Sequence, residues 1–205
     1  MIKPTPAALR FGAIILAAGA SSRLGSPKQL LLLDGQPLVT RAAQAALTAG
    51  AWPVVVVLGA HAEKIRPTLA RLPVIVVENA AWPEGMAASI RTGITTLGQF
   101  SRTLEAALIA LCDQPAFDAA VIAQLLAAQH TTGRSIVAAR YASRHGAPAL
   151  LLRAHFPALA ALTGETGARD LLNGDPTHIA AVDLPSLAQD LDTLADLAAL
   201  SERIS

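Results

Sequence analysis

Two cations and a set of small residues share one short stretch, Leu16-Ala-Ala-Gly-Ala-Ser-Ser-Arg-Leu-Gly-Ser-Pro-Lys28. Small side chains let backbone N–H groups come close to an anion. Arg23 and Lys28 add positive charge suited to phosphate oxygens. A triphosphate needs both kinds of group, aligned donors and mobile cations. The same composition also suits a surface loop with two solvated cations, because short Gly-rich stretches are common. Spacing excludes two familiar phosphate loops. Lys28 follows Gly25 by three residues and precedes Gln29, unlike a Walker A sequence, and Gly19 and Gly25 do not have dinucleotide G-x-G-x-x-G spacing.

A carboxylate stands at the end of a second apolar run, Leu108-Ile-Ala-Leu-Cys-Asp-Gln-Pro115. A buried acid at a strand end is costly without a partner. Mg²⁺ carried by phosphates would be such a partner, since it often takes one or two protein carboxylates and fills the rest with phosphate and water oxygens. The plain alternative is that Asp113 caps the turn at Gln114-Pro115. Cys112 reads as a small core residue. A further acidic pair, Asp190 and Asp192, alternates near the C-terminus, so in extended chain both face one side. Either can reach a shared metal, or Asp192 can be the N-cap of a last helix.

Elements able to position these groups follow from periodicity. Apolar, strand-length runs lie at 12–18, 53–58, 74–77, 106–111, 135–140, 149–152 and 179–183, with 19–34 loop-like between the first and the next helix. Helical patterns lie at 37–49, 61–71, 86–97, 118–130, 156–162, 167–172 and 193–202. Pro37 and Gly50 bracket the first helix, and Asp118 is placed to cap the fourth. Strands that alternate with helices and are apolar throughout predict an α/β fold: a three-layer αβα sandwich with a mostly parallel sheet. The chain reads as one domain over 1–205. In such folds ligands sit beyond the carboxyl ends of the strands, which singles out the loops after 12–18 and 106–111.

Bulk composition limits the alternatives. The chain has 205 residues, 53% hydrophobic and only 3% aromatic, so its core is aliphatic. The net charge of +1, from 16 basic and 15 acidic residues, shows no clustered basic face, and nucleic acid is not expected as a partner. The single cysteine rules out an internal disulfide or Cys-based zinc site. No apolar run reaches membrane-spanning length and no signal-peptide pattern is present, so a cytoplasmic protein without a membrane partner is expected.

Taken together, these residues resemble the MobA-like nucleotidyltransferases, most closely the molybdenum cofactor cytidylyltransferases of the MocA type. The likeness is carried by Leu16-Ala-Ala-Gly-x-Ser-x-Arg-x-Gly-x-x-Lys28, Asn79-x-x-Trp-x-Glu-Gly-Met86-x-x-Ser89-Ile, Cys112-Asp-Gln-Pro115, Gly146-x-Pro148, Gly164-x-x-Gly-Ala-Arg169 and Asp190-x-Asp-Thr193. The resemblance implies a Rossmann-like nucleotidyltransferase fold of the GT-A-like kind. It implies catalytic roles for Arg23, Lys28 and Asp113, and a nucleotide site of Leu16, Ala17, Ala18, Gly19, Ser21, Arg23, Lys28, Ser89 and Asp113. Asp113 and Asp192 would hold Mg²⁺, and Gly146, Pro148 and Arg169 would face the acceptor.

Ala18 stands where guanylyl relatives usually carry Gly, so the resemblance implies CTP. The substrates would then be CTP and molybdopterin, with an apo-molybdoenzyme or its chaperone as a receiving partner. Two residues depart from the pattern. Leu194 replaces the Pro that usually follows the last motif's Thr, and Ala149 is smaller than the usual apolar residue after Gly-x-Pro. Glu84, Arg169 and His145 are read equally well as a first-turn helix acid, a surface cation and a solvated loop residue. Competing expectations are a GTP-using relative, a transferase for a sugar or methylerythritol phosphate, a non-catalytic cofactor carrier, and a nicotinamide-dependent oxidoreductase.

Overall fold

The computed structural model describes residues 9–21, 26–165, 167–175 and 177–188. Arg23, Asp190, Asp192 and the predicted last helix lie outside the described residues. In chain order the strands are β1 (Phe11–Ala17), β2 (Leu32–Leu33), β3 (Gln36–Pro37), β4 (Val54–Leu58), β5 (Ile75–Glu78), β6 (Ala106–Leu111), β7 (Ile136–Tyr141), β8 (Arg144–Leu152) and β9 (Ile179–Asp183). The helices are α1 (Leu38–Thr48), α2 (Ala62–Ile65), α3 (Met86–Phe100), α4 (Ala119–Thr132), α5 (Phe156–Ala160) and α6 (Arg169–Leu172).

Seven strands form one sheet in the order β5-β4-β1-β6-β8-β7-β9. Every pairing is parallel except those of β8, which runs antiparallel to both β6 and β7. Helices cover both faces, as uniformly apolar strands require. Side chains alternate between the two layers with period two. Ala13, Ile15, Val54, Val56 and Leu58 pack with α1 and α4 through Val39, Ala43, Ile122 and Leu125. Ile14, Leu16, Val55 and Val57 pack with α3 through Ile90, Ile94 and Leu97. Gly93 lets α3 close on β1: a Cβ there would lie 2.4 Å from Ile14 Cγ2.

Three local expectations are corrected. The helix predicted over 61–71 is a single turn, α2, followed by a 3-10 turn at Arg66–Leu69, because Pro67 lacks the N–H that would continue the ladder. The segment 19–34 is not all loop: it holds a 3-10 turn at Lys28–Leu30 and a small hairpin, β2–β3, turned by Asp34 and Gly35 at φ 50° and 74°. The strand expected at 149–152 is the end of a longer one. It belongs to β8, joined to β7 by the two-residue turn Ala142-Ser143 at φ 47° and 59°. That turn is left-handed at both positions but has none of the Asn or Gly that normally marks it.

After β1 the chain builds β4 and β5 on one side of it and later places β6 on the other. The sheet therefore has its switch point between β1 and β6. Ligands of such sheets bind in the crevice outside that point.

Candidate active site

β1 ends at Ala17, and the loop beyond it is braced from within. Gln29 is buried, and its amide donates to the carbonyls of Ala17 (3.1 Å) and Gly19 (2.8 Å). Ser21, at φ 51°, accepts from the Lys28 N–H at 3.0 Å and donates to Gln29 Oε1 at 3.3 Å. His61 Nε2 bonds the Ala20 carbonyl at 2.8 Å. Carbonyl oxygens that would repel an anion are thus already occupied. Gly59 packs beneath: a Cβ on it would lie 2.6 Å from the Ala18 carbonyl and 2.8 Å from the Trp82 Cβ.

Lys28 Nζ forms an ion pair with Asp113 Oδ2 across the ends of β1 and β6. Both side chains are largely buried, 21% and 13% exposed. Asp113 Oδ1 is buried with no hydrogen-bond partner among the described residues. A desolvated, unpartnered carboxylate oxygen is costly, and a hard divalent cation is the ligand it suits. The residues present therefore fit Mg²⁺ at Asp113. Among the described residues no group of three or more His, Cys, Asp or Glu could hold a metal by itself, so phosphate and water oxygens would complete the shell. Burial, and then the negative charge of Asp113, push the Cys112 thiol far above its ordinary range. It stays protonated and is no nucleophile.

Leu16, Ala17, Ala18, Gly19, Lys28, Ser89 and Asp113, all expected from sequence, line one cleft of about 390 Å³. Ser21 is not among its lining residues; its hydroxyl serves the brace. Ser89 is oriented by Asn79, whose Nδ2 donates to its Oγ at 3.1 Å, while Asn79 Oδ1 accepts from the Ala81 N–H. Glu165 also faces the cleft and was not singled out from sequence. It arrives because Gly85, at φ 104°, has no Cβ: one would lie 2.7 Å from the Glu165 Cα. Glu84 pairs with Arg91 at 2.8 Å, which leaves it a helix-entry acid.

A second cavity of about 220 Å³ adjoins the first and shares Leu16, Met86 and Leu111 with it. Aliphatic side chains form most of its wall. Of the three residues that the resemblance assigns to the acceptor, Gly146 and Arg169 line it and Pro148 does not, although its neighbours Ala147 and Ala149 do. Arg144 and His145 line it too. His145 is not a solvated loop residue, since its Nδ1 bonds the Leu172 carbonyl at 2.9 Å. Arg144 lies 6.0 Å from the centroid of the Tyr141 ring. Arg144 had no signal in the sequence, because the hairpin that brings it here was not visible.

Residues 13–182 match the sequence profile of the MobA-like NTP transferase domain. Nicotine blue oxidoreductase of Paenarthrobacter nicotinovorans is 34% identical over 195 residues, 90% of this chain and 93% of that protein. The crystal structure of Rv0371c from Mycobacterium tuberculosis H37Rv superposes with a TM-score of 0.80 at 28% identity, covering 95% of this chain and 99% of that one. The same protein in complex with manganese gives a TM-score of 0.73 at 28% identity, covering 94% and 98%. No helix among the described residues is long and apolar enough to cross a membrane.

Proposed function

The chain belongs to the MobA-like NTP transferase family, and from that premise we propose that it is a CTP:molybdopterin cytidylyltransferase. It transfers CMP from CTP to the terminal phosphate of the pterin cofactor and releases pyrophosphate. The observation that carries this reading is the Lys28–Asp113 pair at the switch point, with Asp113 Oδ1 left unpartnered. A cation for phosphate and a carboxylate for a divalent metal meet there in one cleft, and a second cavity opens beside it.

The larger cleft takes the nucleotide. The N–H groups of Ala18 to Ser21 and the Lys28 ammonium hold the triphosphate, joined by Arg23 on the same loop. Ser89, fixed by Asn79, meets the base or ribose. Ala18 favours CTP over GTP. Asp113, with Asp192, would hold Mg²⁺, which neutralises phosphate charge when bound; that Rv0371c forms a complex with manganese supports the use of a divalent metal.

An oxygen of the acceptor's terminal phosphate attacks the α-phosphorus of CTP. The bond from that phosphorus to the bridging oxygen breaks, and pyrophosphate leaves with its electron pair. The attacking phosphate is already ionised near neutral pH, so no general base is needed. Catalysis is positioning plus stabilisation of developing charge by Lys28.

A second reading draws on the oxidoreductase name of the 34%-identical relative and predicts nicotinamide nucleotide binding in the same cleft. Thermal-shift measurements with CTP, GTP, ATP, UTP and NADPH plus Mg²⁺ separate the two, because a ligand bound only by the native state raises its stability. The proposal expects the largest shift with CTP. A preference for GTP or NADPH overturns it. Pyrophosphate release from CTP with molybdopterin then separates an enzyme from a non-catalytic carrier.

A further inference from the structure

The wall of the smaller cavity is interrupted by a bulge, and one side chain anchors it. Between Ala138 and Ala139 of β7, the partner on β8 jumps from Ala149 to Gly146, leaving Ala147 and Pro148 outside the ladder. The Ala147 carbonyl accepts from Gln114 Nε2 at 3.1 Å and from the Tyr141 hydroxyl at 2.9 Å. Gln114 Nε2 also lies 3.1 Å from the Tyr141 hydroxyl and 3.3 Å from the Leu187 carbonyl. Gln114 is only 3% exposed and directly follows Asp113.

Three acceptors around one nitrogen fix the orientation of this amide. Two hydrogens are shared among three oxygens, one of which donates to another, while the amide oxygen Oε1 is buried with no hydrogen-bond partner among the described residues. Tyr141 is itself pressed against the strand: a Cβ on Gly146 would lie 2.5 Å from its hydroxyl oxygen. The nucleotide loop has separate supports in Gln29 and His61, and Ser89 is held by Asn79. A fault at Gln114 should therefore move the Gly146–Ala147 wall and leave the nucleotide loop in place.

We propose that Gln114 is a positioning residue for the acceptor: through Tyr141 and the Ala147 carbonyl it holds the wall of the smaller cavity in register with Asp113. This rests on the reading of that cavity as the acceptor site. The test compares Gln114→Met, Tyr141→Phe and the double variant with the wild type. Loss of buried hydrogen bonds in the acceptor wall should raise the molybdopterin KM of Gln114→Met roughly tenfold, with the CTP KM held within about twofold. The two substitutions should be non-additive in the molybdopterin KM, because they break one network.

The chain has a single tyrosine, so a ¹³Cζ-tyrosine label gives one NMR signal, which should move in Gln114→Met. Equal rises in both KM values overturn the proposal, as does additivity or an unmoved tyrosine signal. If Gln114→Met does not fold, Tyr141→Phe, which keeps the buried shape, must show the same KM split or the proposal fails. Absence of pyrophosphate release by the wild type defeats the functional reading instead, and the tyrosine signal then decides the Gln114 link alone.

Discussion

Lys28→Ala tests the core of the mechanism. The ammonium stands on Asp113 in a largely buried cleft, 21% exposed itself and facing a 13% exposed carboxylate. A unit charge about 4 Å from another is worth ~4 kcal/mol at an effective dielectric of ~20. Part of that is present before reaction, when the ammonium already contacts the bound triphosphate, and this part cancels in the barrier. The net loss should therefore approach but not exceed that figure. Loss of one preorganised transition-state contact elsewhere costs about 10²–10³ in kcat, ~2.7–4 kcal/mol, which agrees. The assay is pyrophosphate release at saturating CTP, molybdopterin and Mg²⁺, with thermal melting as a check on folding. A folded Lys28→Ala that turns over within about threefold of the wild type would refute the assignment of Lys28 to transition-state charge.

Gly59→Ala should destabilise the protein by about 1–3 kcal/mol, because the new methyl meets the Ala18 carbonyl and the Ala18 and Trp82 Cβ atoms, none of which is a flexible chain end. A thermal melt should show a drop of several degrees, and the CTP KM should rise as Ala18 is displaced. Asp183 is held below the usual carboxylate range by the Arg140 guanidinium, whose Nε lies 2.5 Å from Oδ1. A depressed folded-state pKa means this pair adds stability above the unfolded carboxylate pKa of about 3.9 and loses it as pH falls through the folded value. NMR titration of the Asp183 carboxyl should show a midpoint below the usual value that returns to it in Arg140→Ala.

The parallel half of the sheet was legible because its strands are unbroken apolar runs: 106–111 and 179–183 match to the residue. The Asp118 cap was legible for the same local reason, and its carboxylate accepts from the Val121 N–H at 2.8 Å. The first half of the antiparallel β8, before 149, was hidden, since Ala142 and Ser143 turn the chain without a turn signature and a bulge breaks the alternation of the strand. Arg144 was hidden with it, and His145 was read as a residue of a loop. In the larger cleft the pattern located Lys28 and Asp113 but not Gln29, because a buried glutamine that braces its own loop has no spacing rule to announce it. Ser21 shows the converse: its place in a motif suggested ligand contact, while its hydroxyl is bonded inside the loop.

The pairing of Lys28 with Asp113 has a thermodynamic consequence. Each group blocks the other in the ligand-free protein, so a triphosphate must draw the ammonium away from the carboxylate, and a divalent cation must draw the carboxylate away from the ammonium. Either ligand weakens the contact the other has to break. Linkage then makes Mg²⁺ and CTP bind cooperatively and reciprocally, within the usual coupling of about 5–150-fold. Asp113→Asn gives the sign that separates this account from simple loss of a metal ligand. Without Mg²⁺ it should bind CTP more tightly than the wild type, because the Asp113 charge no longer holds the ammonium. With Mg²⁺ the cooperative gain should vanish and turnover should fall. Calorimetric titration of CTP into both proteins, with Mg²⁺ and with a chelator, reads both quantities. Weaker CTP binding by Asp113→Asn in the chelator arm would show that the carboxylate does not restrain Lys28, and that the pair does not couple the two ligands.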